Sequence, residues 1–153
     1  MSRQDCDTPP RARTARQIWL ATLAKAGRAE LEAAWASLPA RPDYVFLRKP
    51  ETGLTLLRGR IGGTGPAFNF GEASATRAAI RLDGHEVMGF GFVLGRDARH
   101  AELAAAFDAL LQTGDAAAIA AVAGLDAARR GRETAKSHAV AASRVEFFTL
   151  ARD

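Results

Sequence analysis

The sequence predicts an α+β domain: an antiparallel sheet of about four to five strands, flanked by N-terminal helices and an alanine-rich C-terminal helical region. Three observations carry that prediction. Helix-period apolar spacing occupies both ends of the chain, and strand-like runs bounded by Gly and Pro occupy the middle. All 6 prolines lie at or before Pro66, so nothing beyond that point forbids long helices. The 153 residues are 48% hydrophobic and 25% charged, enough for one core and unlike a disordered or collagen-like chain.

Residues 1–11 read as a polar tail, and 12–153 as a single domain. A helix over about Ala12–Ala26 aligns Trp19, Leu23 and Ala26, and Gly27 interrupts it. A second, about Ala29–Ser37, aligns Leu31, Trp35 and Leu38 and ends before Pro39 and Pro42. Tyr44–Arg48 and Leu54–Ile61 read as two strands of a hairpin, turning at Pro50-Glu51-Thr52-Gly53. Gly62–Pro66 is a loop, because glycine at three of four positions weakens any regular element. Ala67–Gly71 is a short strand, and Ala75–Leu82 and Val87–Leu94 pair through a turn at Asp83-Gly84. Gly89 and Gly91 alternate with Phe90 and Phe92, which leaves one strand face bare for close approach by another backbone or a ligand. Asp97 caps a helix to about Gln112. Gly114 and Gly124 bracket a short alanine-rich helix, and Asp126 caps a last one to about Ala142. The end, Val145–Leu150, reads as a strand or a last helical turn.

The net charge is +4, and the first 60 residues are the basic part. Such an end steers anions or an acidic protein surface. With no run of five basic residues and little aromatic interleaving, it is not a nucleic-acid footprint. No apolar run approaches the roughly 18–20 residues of a membrane helix. The start lacks the apolar stretch of a secretory signal, and the single Cys6 cannot form an internal disulfide, so a cytoplasmic location is expected.

Chemistry-bearing constellations are sparse. His85, His100 and His138 fall in three elements without metal-ligand spacing, so no metal site is expected. No G-x-S-x-G elbow or P-loop occurs, and no residue is assigned a catalytic role. In Arg58-Gly59-Arg60-Ile61-Gly62-Gly63-Thr64-Gly65, backbone N–H groups can converge on an anion that the arginines neutralise. The plainer reading is a wide strand connection with Arg58 and Arg60 on a solvated face. The helix start at Gly95–Glu102 offers Arg96 and His100 to an anion. Its plainer reading puts His100 on the apolar stripe with Leu103, Phe107 and Leu110, hydrogen-bonded to a neighbour. The last helix buries, on this reading, Ala128, Ala135, Ala139 and Ala142, with Val140 its only larger aliphatic side chain. Val145, Phe147, Phe148 and Leu150 then either fill the domain's own core or dock in a partner.

Six blocks stand out together: Glu51-Thr52-Gly53-Leu54, Arg60–Gly65, Gly71-Glu72, Thr76-Arg77-Ala78-Ala79, Gly95-Arg96-Asp97 with His100-Ala101-Glu102, and Ala142–Thr149. In this order, over about residues 14–151, they resemble the PhnG family of the bacterial carbon–phosphorus lyase system. The resemblance implies a cytoplasmic complex with PhnH-, PhnI- and PhnJ-type subunits and an ATPase-like PhnL-type protein. Together they transfer the ribose triphosphate moiety of ATP to an alkylphosphonate with release of adenine. It implies that this chain alone is inactive and binds no cofactor, ATP being a substrate of the assembled complex. The candidate anion or interface residues are then Arg58, Arg60, Gly62, Gly63, Thr64, Gly65, Arg77, Arg96, His100 and Glu102, and the docking candidates Arg144, Val145, Phe147 and Phe148. The alternative is a free-standing anion- or nucleotide-binding domain that uses the glycine loop.

Overall fold

A computed structural model describes residues 12–142. The first helix, α1 (Ala15–Lys25), starts at Thr14, whose hydroxyl accepts from the Gln17 amide while the Gln17 side chain accepts from the Thr14 amide. α2 (Arg28–Ala36) follows, with Leu31, Trp35 and Leu38 buried. The sheet comprises β1 (Tyr44–Arg60), β2 (Ala67–Leu82) and β3 (Met88–Leu94), antiparallel in the order β1-β2-β3. Then come α3 (Ala98–Thr113), capped by Asp97 at one end and by left-handed Gly114 at the other, and α4 (Ala116–Ala142). None of the helices described is long and apolar enough to cross a membrane.

Three sequence expectations are corrected. The hairpin at Pro50–Gly53 does not form: residues 44–48 and 54–60 belong to one 17-residue strand. Proline is tolerated there because β1 is an edge strand, and register shifts between Phe46 and Glu51 place Pro50 in an irregularity of the ladder. Ala67–Gly71 and Ala75–Leu82 likewise join into one strand, so the sheet has three strands among the described residues, not four or five. The expected break at Gly124 is also missing, since α4 runs unbroken for 27 residues. Ala118, Val122 and Leu125 anchor it to the core across that glycine, which outweighs a helix penalty of about 1 kcal/mol.

The core lies on one face of the sheet. β3 turns Gly89, Gly91 and Val93 toward α3, and β2 turns Ala78, Ile80 and Leu82 the same way. A Cβ on Gly91 would lie 1.9 Å from the Ala101 carbonyl oxygen, and one on Gly89 2.0 Å from that of Ala105. The bare strand face foreseen from the sequence is therefore occupied by a helix backbone, not by a ligand. α3 is buried on nearly every side between the sheet and the other helices, which explains its mixture of Ala and large residues. Its alanines meet the sheet glycines, while Phe107 packs edge-on against Trp35 at 5.5 Å.

These contacts fix directions. α3 runs antiparallel to β3 and to α1, because Arg16 meets Asp108 while His100 meets Leu23. α4 returns along α1, where Asp126 accepts from Thr22, and reaches Glu30 of α2 through Arg132. Beyond Asp126 it is exposed apart from Arg129. The buried face expected at Ala128, Ala135, Ala139 and Val140 is thus overturned, because α4 has by then passed the start of α3 and has no core left to cover. Nothing is described of the Ala142 side chain. β1 and β2 leave the body at the same end: β3 pairs only with Ala75–Arg81, so Leu54–Arg60 and Ala67–Ser74 project as a two-stranded ribbon.

Candidate functional site

The sheet's second face carries no helix among the described residues. Strand alternation places Met88, Phe90, Phe92 and Leu94 there in one row, 45–64% exposed. Ala75 and Ala79 lie beside them on β2, opposite Leu94 and Phe90, with Arg77 opposite Phe92. Arg77 donates to Glu51 at 2.6 Å, and Arg48 donates to the same carboxylate. The two guanidinium groups hold Glu51 below the usual carboxylate range, Arg48 contributing most. The cluster keeps one excess positive charge and borders a depression of about 450 Å³ that reaches Phe92. The face continues onto the ribbon, where Phe68 and Phe70 lie 6.2 Å apart, centroid to centroid. Phe70 falls at a register shift of β2, and its ring covers Gly59, where a Cβ would sit 3.3 Å away.

The glycine loop closes the ribbon. Ile61–Gly63 make a single 3-10 turn in which Gly62 takes φ 61°, and the Gly65 amide donates to the Ile61 carbonyl at 2.9 Å. A Cβ on Gly65 would lie 2.8 Å from that carbonyl oxygen. Arg60 donates across the loop to the Gly65 carbonyl at 3.2 Å. Glycines 62 and 65 are thus explained by the turn itself. Thr64 is exposed beside them, and Arg58 is exposed further down the same ribbon face as Arg60. Gly63 closes the 3-10 turn.

The remaining candidates lie elsewhere. Arg96 is exposed just before α3. His100 is half-buried, its Nε2 2.8 Å from the Leu23 carbonyl oxygen, in keeping with a packing histidine. Glu102 accepts from the Tyr44 hydroxyl at 2.5 Å and from Arg99 at 2.9 Å. Burial, then the Glu102 bond, pushes the Tyr44 phenol up to about 12. The structure therefore gathers Arg58, Arg60 and the glycines at the ribbon tip, sets Arg77 on the open face, and ties His100 and Glu102 into the packing of α3. Arg144, Val145, Phe147 and Phe148 lie outside the described residues. Among those described, no three His, Cys, Asp or Glu side chains come together to hold a metal ion.

Sequence reasoning missed two features. The first is Asp108, fully buried, which accepts from Arg16, from Trp19 Nε1 at 2.8 Å, from the Phe90 amide at 2.9 Å and from Gln112. A lone Asp on the apolar side of a helix was the available signal. The second is the extent of the uncovered apolar face, legible in the row Met88, Phe90, Phe92, Leu94 once the opposite face is assigned to the core.

The geometry defines a small α+β protein with a row of exposed apolar side chains on one sheet face and, among the described residues, no cluster of His, Cys, Asp or Glu that could hold a metal ion. Sequence comparison supplies the family: the phosphonate metabolism protein PhnG profile matches residues 14–153, and the chain belongs to that family. A curated relative, the alpha-D-ribose 1-methylphosphonate 5-triphosphate synthase subunit PhnG of Rhizobium meliloti (strain 1021), is 46% identical over 132 residues. The match covers 85% of this chain and 84% of that protein.

Proposed function

We propose that the chain is a non-autonomous subunit of an alpha-D-ribose 1-methylphosphonate 5-triphosphate synthase in phosphonate catabolism. With PhnH-, PhnI- and PhnJ-type subunits and a PhnL-type ATPase, it takes part in moving the ribose triphosphate of ATP onto an alkylphosphonate as adenine leaves. Membership of the PhnG family and the 46% identity to a synthase subunit carry this reading. The open sheet face, where four large apolar side chains of one strand are about half exposed, suits a chain that contacts partners. The chain binds no cofactor on its own and works in the cytoplasm, where ATP is available to the complex. A free-standing anion-binding domain is less well supported, because Arg60 already bonds within the glycine loop.

Co-expression with the partner subunits, native mass measurement and an adenine-release assay with ATP and methylphosphonate test this. The chain is expected to co-purify stoichiometrically, and omitting it should abolish adenine release. Alone it should release none. Turnover by the single chain, or full activity of the partners without it, overturns the proposal.

A further inference from the structure

We propose that the open sheet face docks a different subunit, through an apolar patch on that subunit that carries carboxylates along one side. The proposal rests on the reading that this chain works inside a multi-subunit complex.

The face is divided across its width. Met88, Phe90, Phe92 and Leu94 form an uncharged row on β3, about 20 Å from end to end. The charge lies on β2 and β1. Register sets Arg81 opposite Met88, Arg77 opposite Phe92, and both Arg48 and Phe90 opposite Ala79, so the three arginines share the face with the apolar row. Arg48 and Arg77 divide one carboxylate, Glu51, and each of these three side chains is about half exposed. Arg81 is exposed and makes no ion pair among the described residues. Arg16, whose guanidinium lies over the Phe90 ring at 5.6 Å, is matched by buried Asp108 and adds no excess. Three guanidinium groups thus stand against one carboxylate beside the apolar row. A surface that covers the row also takes water from the arginines, and a charge that loses water needs an opposite charge in return.

This chain does not supply the missing acids. A second copy laid face to face brings the same excess of arginine, so self-contact through this face stays weak. The exposed part of α4 carries Arg130, Arg132 and Lys136 against Glu133 alone. Glu72 shares its ribbon face with Arg58 and Arg60. Asp83 and Glu86 flank the turn before β3, where no large apolar side chain is exposed. Residues 1–11 and 143–153 each contain two bases and two acids, so neither end has acid to spare. An apolar surface with an excess of carboxylates therefore belongs to a different chain. Its acids face the β1 side and its apolar groups the β3 side, which also fixes how it lies across the sheet.

Zero-length cross-linking of the assembled complex tests the proposal. Arg81→Lys keeps the charge, and its recovery should stay within about twofold of wild type when the chain is co-expressed with the partner subunits and captured through one of them. Treated with a carbodiimide in that complex, the new amine should form an amide with an Asp or Glu of a different subunit, located by peptide mass spectrometry. Arg81→Glu should leave the isolated chain's circular dichroism unchanged and lower recovery at least about tenfold. Links confined to this chain, whether to a second copy or to Glu146 or Asp153, overturn the proposal in favour of those occupants. Absence of any link to a different subunit, or full recovery of Arg81→Glu in an assembled complex, overturns it and spares the subunit reading. Failure of the wild-type chain to enter any complex removes that reading and this proposal with it.

Discussion

Replacing Asp108 with alanine should be among the most damaging single changes in the chain. The carboxylate is fully buried and joins α3 to α1 and β3 through Arg16, Trp19 and Phe90. The Arg16 side chain is 39% exposed, so after the substitution it can turn to water and contributes little to the loss. Trp19 Nε1 and the Phe90 amide are part-buried and fixed on their elements, so they cannot swing out as a long side chain does. Each buried donor left without an acceptor costs about 1–3 kcal/mol. The two donors together cost about 2–6 kcal/mol, to which the small cavity adds. At about 2–4 °C per kcal/mol for a chain of this size, the melting temperature should fall by roughly 4–24 °C. Urea denaturation followed by tryptophan fluorescence measures the loss directly, and Trp19 itself reports on the site. Asp108→Asn should fall between, because one amide oxygen still accepts while the NH₂ group faces donors. A loss below about 1 kcal/mol for Asp108→Ala would show that water reaches these donors and would refute the reasoning.

Other outcomes follow from the same geometry. Gly91→Ala should cost at least about 3 kcal/mol or prevent folding, because its Cβ meets the Ala101 carbonyl at 1.9 Å; Gly71→Ala, with nothing within 4 Å, should stay within about 0.5 kcal/mol by denaturant titration. Phe92→Ser, on the open face, should change the isolated chain's stability by less than about 1 kcal/mol, yet reduce self-association in sedimentation and weaken assembly. The Tyr44 phenol should ionise near pH 12 in ultraviolet titration of the folded chain. Its folded-state value lies above the ordinary 10, so its stabilising contribution is fully present below pH 10 and is lost as pH rises toward 12. Tyr44→Phe should remove that alkaline step.

The local elements were legible because their signals are local. Asp97 caps a helix, Gly114 ends one, and Asp83-Gly84 turns between strands, each as the local chemistry dictates. The alternation of Gly89 and Gly91 with Phe90 and Phe92 announced a close backbone approach, and α3 makes it. The candidate residues were legible as separate motifs, but their grouping was not. Arg60 and His100 read alike as anion ligands, and only packing separates them, one at a ribbon tip and the other against the Leu23 carbonyl.

By itself, then, the sequence determined the α+β class, the Asp97 cap, the Asp83-Gly84 turn and the strand that must lie against a helix, but not the cap at Asp126 or the turn at Pro50–Gly53. Those it determined follow from forces acting within a few residues. Tertiary structure alone decided that Pro50 and Gly124 would not break their elements, because an edge position removes the need for a proline N–H and core anchors outweigh a helix glycine. It also decided which apolar residues stay outside. Phe92 and Phe107 read alike as hydrophobes, yet one is 53% exposed and the other fully buried. The difference arises because the helices cover one face of the sheet and none of those described covers the other.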